Sequence, residues 1–462
     1  MKPDRSLMRW LTVPVLAALL TACAAPPPAV PGAAPAAKSA EATKPADAPK
    51  AEPTKVTVPK LSEKFTYWGG LIFSDVANKM LEDRIKQWGK EKNVEVEVVM
   101  INQNETQQKV SAAVEAGAMP DALDMGTGLM QLLAKNKQLE AVDDVFGKIG
   151  DAHGGWLDSS KNSVDPKKYG GNVWGVPFGL SGNLINRRDD LLAAKGFAEG
   201  PKTWEEMGKM AEAINDPPKV YGMGIALSNV GDGNLTELML QTYGGRIADD
   251  AGKKCTIDSA ETRTFLTWIT ELYKKGVFPP GATTWDGAGD NKAYQAGQAG
   301  FIANPGSVYL NLVKNDPELL KASKYSGLPG GPKMKLQPYG PNVRTIPATS
   351  RFKDLAKDLF MYLADKQFMA DYYQNAIYGP VLKDQLDAPV FKSSPVHVGL
   401  LDVAQNGTPP SFPDVDNPPK AEFSGNFLIP KMIQRVVVDS MSVDDAIKET
   451  QGACQAIYDK YK

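Results

Sequence analysis

Strand patterns and helix patterns alternate along the segment that begins at residue 65. Three aromatic residues lie within 65–68, valines alternate with glutamates over 94–98, and 122–125 is predicted to be a third, short strand. Apolar residues at helical spacing separate these runs, and Ser74 stands where the first helix would begin. The order strand, helix, strand, helix, strand restricts the fold to an α/β architecture in which a parallel sheet carries helices on both faces.

Three loops are candidates for a ligand surface, because ligands of open α/β sheets bind beyond the carboxyl ends of the strands. The loops follow the three predicted strands and span residues 68–72, 102–105 and 126–128. Gly126-Thr127-Gly128 can present backbone N–H groups to a ligand, but Gln131 replaces the third glycine of a dinucleotide motif. The loops therefore predict close approach of a ligand to the backbone and only weakly suggest a nucleotide.

Length and charge limit the classes of protein that the chain can belong to. A chain of 462 residues exceeds what one hydrophobic core usually holds, so we expect two lobes. The net charge is −2 and the sequence contains no run of basic residues. A mildly acidic chain of this kind carries no electrostatic footprint for nucleic acid.

The first 23 residues have the pattern of an export signal. A basic start is followed by an apolar run, residues 10–20, that is too short to span a bilayer. Leu20-Thr21-Ala22-Cys23 resembles the lipobox of bacterial lipoproteins, which implies a signal peptide over 1–22 and a lipid on Cys23. The alternative is an ordinary secretory signal with an incidental cysteine. Both interpretations place the protein outside the cytoplasm.

Two further regions are constrained by composition. Residues 23–60 are rich in proline and alanine without apolar periodicity, which predicts a disordered tether between the lipidated cysteine and the folded part. Cys255 and Cys454 are the remaining cysteines. An export pathway permits a disulfide between them, but we expect two buried free thiols, because a single distant pair is no disulfide framework.

A crossing between the lobes is indicated by Gly170–Arg188. Large apolar residues alternate with glycine and proline over 173–178, and small polar residues follow at 179–183. Thr203 and Glu206 then form a capping box that opens a helix. The segments VWGVPFGLSGNLINRRDDLLAAKGF and GPKTWEEMGKMAEAI resemble the hinge region of the family 1 extracellular solute-binding proteins, which are maltose-binding-protein-like lipoproteins of ABC importers.

The resemblance extends from about Leu61 to the end of the chain and implies the architecture of that family. It implies a class II periplasmic-binding-protein fold with two lobes, each built on a mainly parallel sheet and joined by three hinge crossings. The crossings are expected near 179–183, 301–304 and 342–347. The expected N-terminal lobe comprises 61–178 and 302–344, and the expected C-terminal lobe comprises 179–301 and 345–462.

Motifs for catalysis are weak in this sequence. His153 and His397 lack metal-site spacing, residues 179–183 miss the G-x-S-x-G pattern, and no Walker A motif is present. A pair of carboxylates could still serve a glycosidase. We predict a binding protein without catalytic residues, cofactor or metal.

Binding of a sugar requires aromatic platforms together with carboxylate, amide and hydroxyl groups. Trp68 and Trp285 fit such platforms, although both are equally compatible with core positions. In the resemblance, Tyr309 takes the place of a tryptophan absent after Asn304, and the C-terminal aromatic corresponds to Phe423 or Phe427. The predicted ligand-binding residues are Trp68, Gly69, Asn102, Gln103, Glu105, Gly126, Thr127, Phe178, Ser181, Asp232, Asn234, Trp285, Asp286, Asn304, Ser307, Tyr309, Tyr339 and Phe427.

The sequence thus predicts a monomeric, lipid-anchored binding protein on the extracytoplasmic face of a bacterial membrane. Its expected partners are a small polar solute, with a carbohydrate as the expected class, and the permease subunits of an ABC importer. Three alternatives stay open at this point. They are a glycan-degrading lipoprotein, a binding protein for a polyol or glycerophosphate, and a surface scaffold with a vestigial cleft.

Overall fold

The computed structural model describes residues 64–72, 74–102 and 105–462. Within them the chain forms two sheets flanked by helices, which confirms the predicted α/β class. The predicted signal peptide, the lipidation site Cys23, the tether over 23–60 and the ligand residue Gln103 lie outside the described residues.

The first sheet has five strands in the order β2-β1-β3-β9-β4. Its strands are β1 (Phe65–Leu71), β2 (Val96–Asn102), β3 (Ala122–Gly126), β4 (Val176–Ser181) and β9 (Gly340–Thr345). The helices whose apolar residues join its core are α1 (Asp75–Lys92), α2 (Thr106–Glu115), α3 (Thr127–Lys135), α4 (Asp143–Ala152), α13 (Lys353–Leu363), α14 (Lys366–Asn375), α15 (Val390–Ser393) and α16 (Pro395–Asn406). The short helix α5 (Asp158–Ser163) accompanies them, since Ser159 donates to the carbonyl of Ala404. The β1-α1-β2-α2-β3 order and its parallel pairing match the sequence prediction.

The second sheet has four strands in the order β6-β7-β5-β8. Its strands are β5 (Leu184–Arg188), β6 (Tyr221–Met223), β7 (Ala299–Asn304) and β8 (Ser323–Ser326). The helices of its core are α6 (Asp189–Ala194), α7 (Trp204–Ile214), α8 (Leu235–Thr242), α9 (Ala260–Lys274), α17 (Pro418–Gly425), α18 (Leu428–Val437) and α19 (Val443–Asp459). A smaller cluster beside β7 contains α10 (Gly289–Gln295), α11 (Ser307–Asn315) and α12 (Pro317–Ala322).

The predicted capping box is present at the start of α7. Thr203 accepts from the backbone N–H of Glu206, and the Glu206 carboxylate accepts from the backbone N–H of Thr203. Trp204 and Met207 follow on the buried face of the helix. Local sequence therefore determines both the start of α7 and the face that it buries.

Each sheet is mainly parallel, as predicted, and contains one strand that runs in the opposite direction. In the first sheet β9 runs antiparallel to β3 and β4, and in the second sheet β5 runs antiparallel to β7 and β8. The chain enters β5 and β9 from the other sheet, so each begins at the edge where its neighbours end. Such strands run opposite to strands that are joined by helical crossovers.

The chain passes between the two cores three times. The first passage leaves the first core at Leu184 and enters the second core at Ile185. The second passage returns from Leu336 to Tyr339 in the first core. The third passage runs from Ala404 to Phe423 in the second core. The first passage follows β4, in the region that the sequence indicated. The second follows β8, and the third follows α16.

The predicted positions of the second and third crossings are wrong. β7 stays within the second sheet, whereas β9 and the helices α13–α16 belong to the first core. The predicted lobe boundaries at 301/302 and 344/345 therefore do not follow the structure. A short apolar strand has the same sequence pattern in either sheet, so periodicity alone does not assign it to a lobe.

Gln337 connects the three passages. Its side-chain oxygen accepts from the N–H of Leu328 at 2.6 Å, and its amide nitrogen donates to the carbonyl of Asn183 at 2.8 Å. Its backbone carbonyl accepts from the N–H of Thr408 at 2.9 Å, and its N–H donates to the Thr408 hydroxyl. Because Gln337 is only 7% exposed, water cannot replace these partners readily.

Cys255 and Cys454 form a disulfide, so the expectation of two free thiols is wrong. Their Cα atoms are 5.9 Å apart although 199 positions separate them in sequence. Cys454 lies on the buried face of α19, which packs beside the segment that contains Cys255. Sequence separation could not reveal this proximity, because it arises from the return of the chain to the second core.

We expect Gln337→Ala to lower the free energy of unfolding by about 2–3 kcal/mol, because it leaves the N–H of Leu328 and the carbonyl of Asn183 without their partner. Urea denaturation followed by circular dichroism measures the change. Gln367→Ala is the matched control, since Gln367 is exposed on α14 and bonds only Asp371. A Gln337 variant as stable as the Gln367 variant would contradict the proposed role.

Candidate functional site

The ends of strands from the two sheets face each other at the first passage. In the first sheet Ser181 pairs with Gly340, and Gly126 pairs with Asn342, at the same edge. In the second sheet Leu184 pairs with Asn304. Because only two residues separate β4 from β5, we expect the loops beyond these edges to border a common space. We call this space the interlobe cleft.

On the second-lobe side, two acidic residues lie close together near the end of β6. Asp232 belongs to the turn Gly231–Asn234, and its side chain is accessible although the surrounding protein raises the pKa of its carboxyl by desolvation. Asp290 is the second residue of α10 and is 5% exposed. Burial, followed by repulsion from Asp232, raises the pKa of Asp290 to about 7. Accessible but desolvated acids are expected in a concave surface.

Trp285 lies beside these acids, and its indole packs against two glycines. A Cβ atom at Gly289 would lie 2.3 Å from the indole Cγ, and one at Gly281 would lie 2.9 Å from Nε1. The Trp285 carbonyl accepts from the Ser228 hydroxyl at 2.8 Å. The indole is half-buried against the second core. Its position is therefore fixed while part of the ring remains accessible.

Phe427 and Asn234 are anchored at one point, the carbonyl of Ser424. That oxygen accepts from the Asn234 amide at 3.3 Å and from the Phe427 N–H at 3.0 Å. The Asn234 Oδ1 atom is buried and has no hydrogen-bond partner in the part of the chain that the structure describes. Phe427 has a φ of 54°, the left-handed region that non-glycine residues rarely adopt. Both features are common at ligand sites.

On the first-lobe side, Trp68 and Gly69 are core residues. Trp68 is 4% exposed and packs in the first core, although its Nε1 finds no partner among the described residues. A Cβ atom at Gly69 would lie 2.7 Å from the Met100 sulfur, so Gly69 makes room for Met100. Neither residue presents a surface to the cleft in this structure.

A buried ionic cluster supports the strand ends from behind. Asp124 accepts from the Tyr67 hydroxyl at 2.5 Å and lies 3.8 Å from the Arg344 Nε atom. The Arg344 guanidinium lies 4.3 Å from the centre of the Phe178 ring. Burial raises the pKa of Asp124, while Arg344 opposes that shift. Phe178 therefore packs against the guanidinium of this cluster and is only 3% exposed.

Other predicted ligand residues have structural partners. Ser181 donates to the carbonyl of Gly340 at 2.8 Å. Asn304 accepts from the N–H groups of Gly306 and Val308, so it caps α11, and Ser307 bonds the same side chain. Asn304 also donates to Asn291 at 2.7 Å, which links the end of β7 to α10.

The remaining predicted residues divide between the surface and the core. Asp286 is exposed, and its ion pair with Lys292 lowers the pKa of its carboxyl. Tyr309 packs edge-on against Tyr325, and Tyr339 is 3% exposed in the first core. Residues that remain at the strand ends of the first sheet are Asn102, Glu105, Gly126 and Thr127.

Gly126 and Thr127 begin α3 at the cleft edge. No side chain caps this helix end, and a Cβ atom at Gly126 or Gly128 would have no neighbour within 4 Å. The first N–H groups of α3 can therefore receive hydroxyl or carboxylate oxygens of a ligand. Glu105 starts α2 nearby in the sheet order and pairs with Lys109 at 2.9 Å.

Asp290 and Gln337 are the residues that the sequence interpretation missed. An aspartate at the start of a helix usually acts as a cap. Asp290 differs from such a cap only because the turn that contains Asp232 lies close to α10. Gln337 lies in an irregular segment without any motif. Their importance arises from contacts that are distant in sequence.

The histidines have structural partners as well. His153 bonds Asp384 at 2.9 Å, and His397 bonds Ser394 at 2.8 Å and the carbonyl of Ala376 at 3.0 Å. Across residues 64–72, 74–102 and 105–462, no group of three or more His, Cys, Asp or Glu is arranged to hold a metal ion. No helix in these same ranges has the length and apolar character needed to cross a membrane.

Comparison with known proteins gives a consistent result. The family model described as bacterial extracellular solute-binding protein matches residues 83–397. A relative from Deinococcus radiodurans, named "Probable ABC transporter-binding protein", is 26% identical over 252 residues. The matched segment covers 53% of this chain and 60% of that relative, so the chain spans less than two thirds of its length.

Solved structures share the fold at low sequence identity. T. maritima MalE3 with bound maltose superposes with a TM-score of 0.72 at 24% identity, covering 85% of this chain and 99% of that protein. A solute-binding protein from Thermotoga lettingae with bound α-D-tagatose gives a TM-score of 0.72 at 21% identity, covering 86% and 100%. The predicted periplasmic-binding-protein fold is thereby confirmed.

We expect Asp290→Asn to stabilise the protein by roughly 1–3 kcal/mol at pH 8. The folded-state pKa of about 7 lies above the ordinary 3.8, so the carboxyl binds more protons in the folded state between these values. Stability contributed by this group is thus complete below pH 4 and is lost as the pH rises through 7. Chemical denaturation from pH 4 to pH 8 measures the difference, which should vanish at pH 4.

The control variant is Asp286→Asn, because Asp286 is exposed and already paired with Lys292. It should not reproduce the gain at pH 8. A difference between wild type and Asp290→Asn that is constant over the whole range would contradict the assignment.

Proposed function

Since the chain belongs to the bacterial extracellular solute-binding protein family, we propose that it captures a small polar solute, most consistently a carbohydrate, in the interlobe cleft. The solute would then be delivered to the permease subunits of an ABC importer. Binding and release require no bond to be broken, so no residue is assigned a catalytic role.

The observation that carries this proposal is the group formed by Trp285, Asp232 and Asp290. An indole face stacks on the C–H face of a sugar ring, and desolvated carboxylates accept hydrogen bonds from its hydroxyls. A sugar hydroxyl that donates to Asp290 supplies a hydrogen bond that water does not provide to this buried acid. Phe427 and the orphan Oδ1 of Asn234 extend the same surface.

The first lobe contributes backbone groups to the proposed site. The uncapped start of α3 at Gly126 and Thr127 offers N–H donors, which complement the acceptors of the second lobe. A solute with several hydroxyl groups both donates and accepts hydrogen bonds. Donors on one lobe and acceptors on the other therefore favour a ligand of this kind. The maltose and tagatose bound by the two solved structures support the same class.

Closure of the lobes would complete the site. The passages held by Gln337 form a short joint, and small backbone rotations there would bring the two strand edges together. A solute that contacts both edges binds the closed form more tightly and so shifts the population toward it. The closed form is the one proposed to dock on the permease.

The proposed location is the extracytoplasmic side of the cell membrane, with a lipid on Cys23 and residues 23–60 as a tether. The lipobox-like sequence before Cys23 supports this anchor. An acyl chain contributes about 0.8 kcal/mol per buried CH₂, and two or more chains give stable attachment. We propose a monomer, since one chain provides both sides of the cleft.

A glycan-degrading enzyme is the rival that one observation favours. Asp290 has a raised pKa and lies near a second acid, an arrangement that glycosidases use. Hydrolysis of a polysaccharide by the purified chain, lost on Asp290→Asn, would support that rival and contradict our proposal.

A thermal-shift screen of sugars, polyols, glycerophosphates, amino acids and oligopeptides tests the proposed function. The full-length chain in detergent is suitable, and a sugar at 100 times its Kd should stabilise the fold by about 2.7 kcal/mol. No shift with any compound would favour a scaffold. A shift with a polyol or glycerophosphate alone, lost in Trp285→Ala, would correct the solute class.

We expect Trp285→Ala to weaken binding of a sugar hit by tenfold or more, because it removes the aromatic platform. Isothermal titration calorimetry measures the affinity. Trp268→Ala is the control, since Trp268 is a half-buried tryptophan on α9 that packs against Tyr243 and Phe265. Equal affinities of the two variants would show that Trp285 is not part of the site.

We expect Cys23→Ser to release the protein from the membrane fraction of the bacterial host, because a serine cannot carry the thioether-linked lipid. Detergent phase partitioning and immunoblotting detect the change. The matched variant Cys255→Ser should remain in the membrane fraction. If Cys23→Ser leaves the distribution unaltered, the alternative of an ordinary secretory signal is favoured.

A further inference from the structure

A cavity lies toward the β8 edge of the second sheet, whereas Asp232 and Trp285 follow β6 at the opposite edge. Its volume is ≈ 340 Å³, which falls within the range of small-molecule sites. We call it the basic pocket, and its lining residues are Arg187, Glu199, Gly200, Pro201, Lys202, Ser326, Gly327, Leu328 and Lys335. Its strand residues belong to β5 and β8, and β7 separates these strands from β6, after which the acidic group of the cleft follows. The basic pocket is thus a distinct site.

The guanidinium of Arg187 is buried in this pocket and only partly neutralised. Arg187 is 7% exposed, and its Nε atom lies 3.3 Å from Asp189 Oδ1. The other oxygen of Asp189 pairs with Lys324 at 2.6 Å, so two cations share one carboxylate. The Arg187 Nη1 atom has no hydrogen-bond partner within the described ranges. A buried cationic donor without a partner is costly, and an anion would satisfy it.

Gly200 holds the guanidinium in place. A Cβ atom at this position would lie 2.7 Å from both the Cζ and the Nη1 atoms of Arg187. Only a residue without a side chain allows the loop between α6 and α7 to approach so closely. The planar fork of Arg187 is therefore fixed in orientation before any ligand arrives, which favours recognition of a planar or tetrahedral oxyanion.

Further donors line the pocket. The Ser326 hydroxyl oxygen is buried without a partner in the described part of the chain. The Lys335 Nζ atom lies 3.9 Å from the Cβ position of Gly327, at the wall of the pocket. Lys202 adds a third cation, and the single acidic residue of the lining, Glu199, is exposed and pairs with Lys202 at 3.3 Å. The lining therefore has a net positive charge.

We propose that the basic pocket binds a phosphate-type oxyanion, either as the free ion or as the phosphate group of a small organic ester. Arg187 would form the fixed hydrogen bonds, Ser326 would donate through its hydroxyl, and Lys335 and Lys202 would supply mobile charge. The volume exceeds the requirement of a bare phosphate, so an organic portion can be accommodated. The proposal is independent of the solute bound in the cleft.

The pocket also contacts the second passage between the lobes. Leu328 donates its N–H to Gln337, and Lys335 precedes Gln337 by two positions. Gly330 exchanges backbone hydrogen bonds with Lys202 and Trp204 at the start of α7, each at 2.9 Å. An oxyanion held by Arg187 and Lys335 would therefore join the second sheet to the segment that leaves it.

Isothermal titration calorimetry of the full-length chain with inorganic phosphate and with sulfate, in sodium chloride of matched ionic strength, tests the proposal. We expect saturable binding that chloride does not reproduce. Lys335→Gln should weaken it at least tenfold, and Arg187→Gln should abolish it. Since Lys335 is exposed, its variant should fold normally even if the Arg187 variant does not.

Two controls separate the basic pocket from other sites. Lys253→Gln removes an exposed lysine elsewhere on the second lobe, and Trp285→Ala alters the cleft. Both should retain wild-type affinity for phosphate. Binding that is equal in chloride, or equal in wild type and Lys335→Gln, would overturn the proposal. Loss of binding in Trp285→Ala would place the ion in the cleft and overturn it as well.

A parallel titration with glycerol 3-phosphate distinguishes the two sources of the oxyanion. Affinity at least tenfold above that of inorganic phosphate would support an organic ester that uses the remaining volume. Affinity equal to that of inorganic phosphate would support the free ion. A chain that binds phosphate but no sugar would keep this proposal and remove the proposed function, so the two can fail separately.

Discussion

The amide of Gln337 is the contact on which the two-lobe arrangement most depends. Three separate strands of chain must lie side by side where the lobes meet, and each exposes backbone groups that the sheets cannot satisfy. One buried side chain bonds the first and second passages, while its backbone bonds the third. These bonds hold the three passages beside one another where the lobes meet.

Much of the first lobe could be predicted from the sequence, because its signals are local. The alternating valines of β2 and the capping residue Ser74 of α1 act within a few positions of themselves. The same applies to the Thr203 box of α7. The assignment of β7 and β9 to sheets could not be predicted this way, since their partners lie far along the chain and their apolar patterns are alike.

The candidate site was predictable only in part, for a related reason. The strand-end rule indicates one edge of each sheet, and Asp232 and Trp285 lie near that edge of the second sheet. Trp68 and Trp285 differ, however, in their burial: Trp68 is a core residue, whereas Trp285 is half-buried. The degree of burial depends on tertiary packing. Asp290 becomes notable only because Asp232 lies beside it, and the disulfide only because α19 returns to the segment of Cys255.

The disulfide has a topological consequence, because both of its cysteines belong to the second core. The covalent ring from Cys255 to Cys454 encloses β9, the helices α13–α16 of the first core, and the second and third passages. Cleavage of the backbone anywhere inside this ring would leave two polypeptides that remain one covalent molecule. A single nick in an exposed loop such as the one at Phe412 would therefore not separate the lobes.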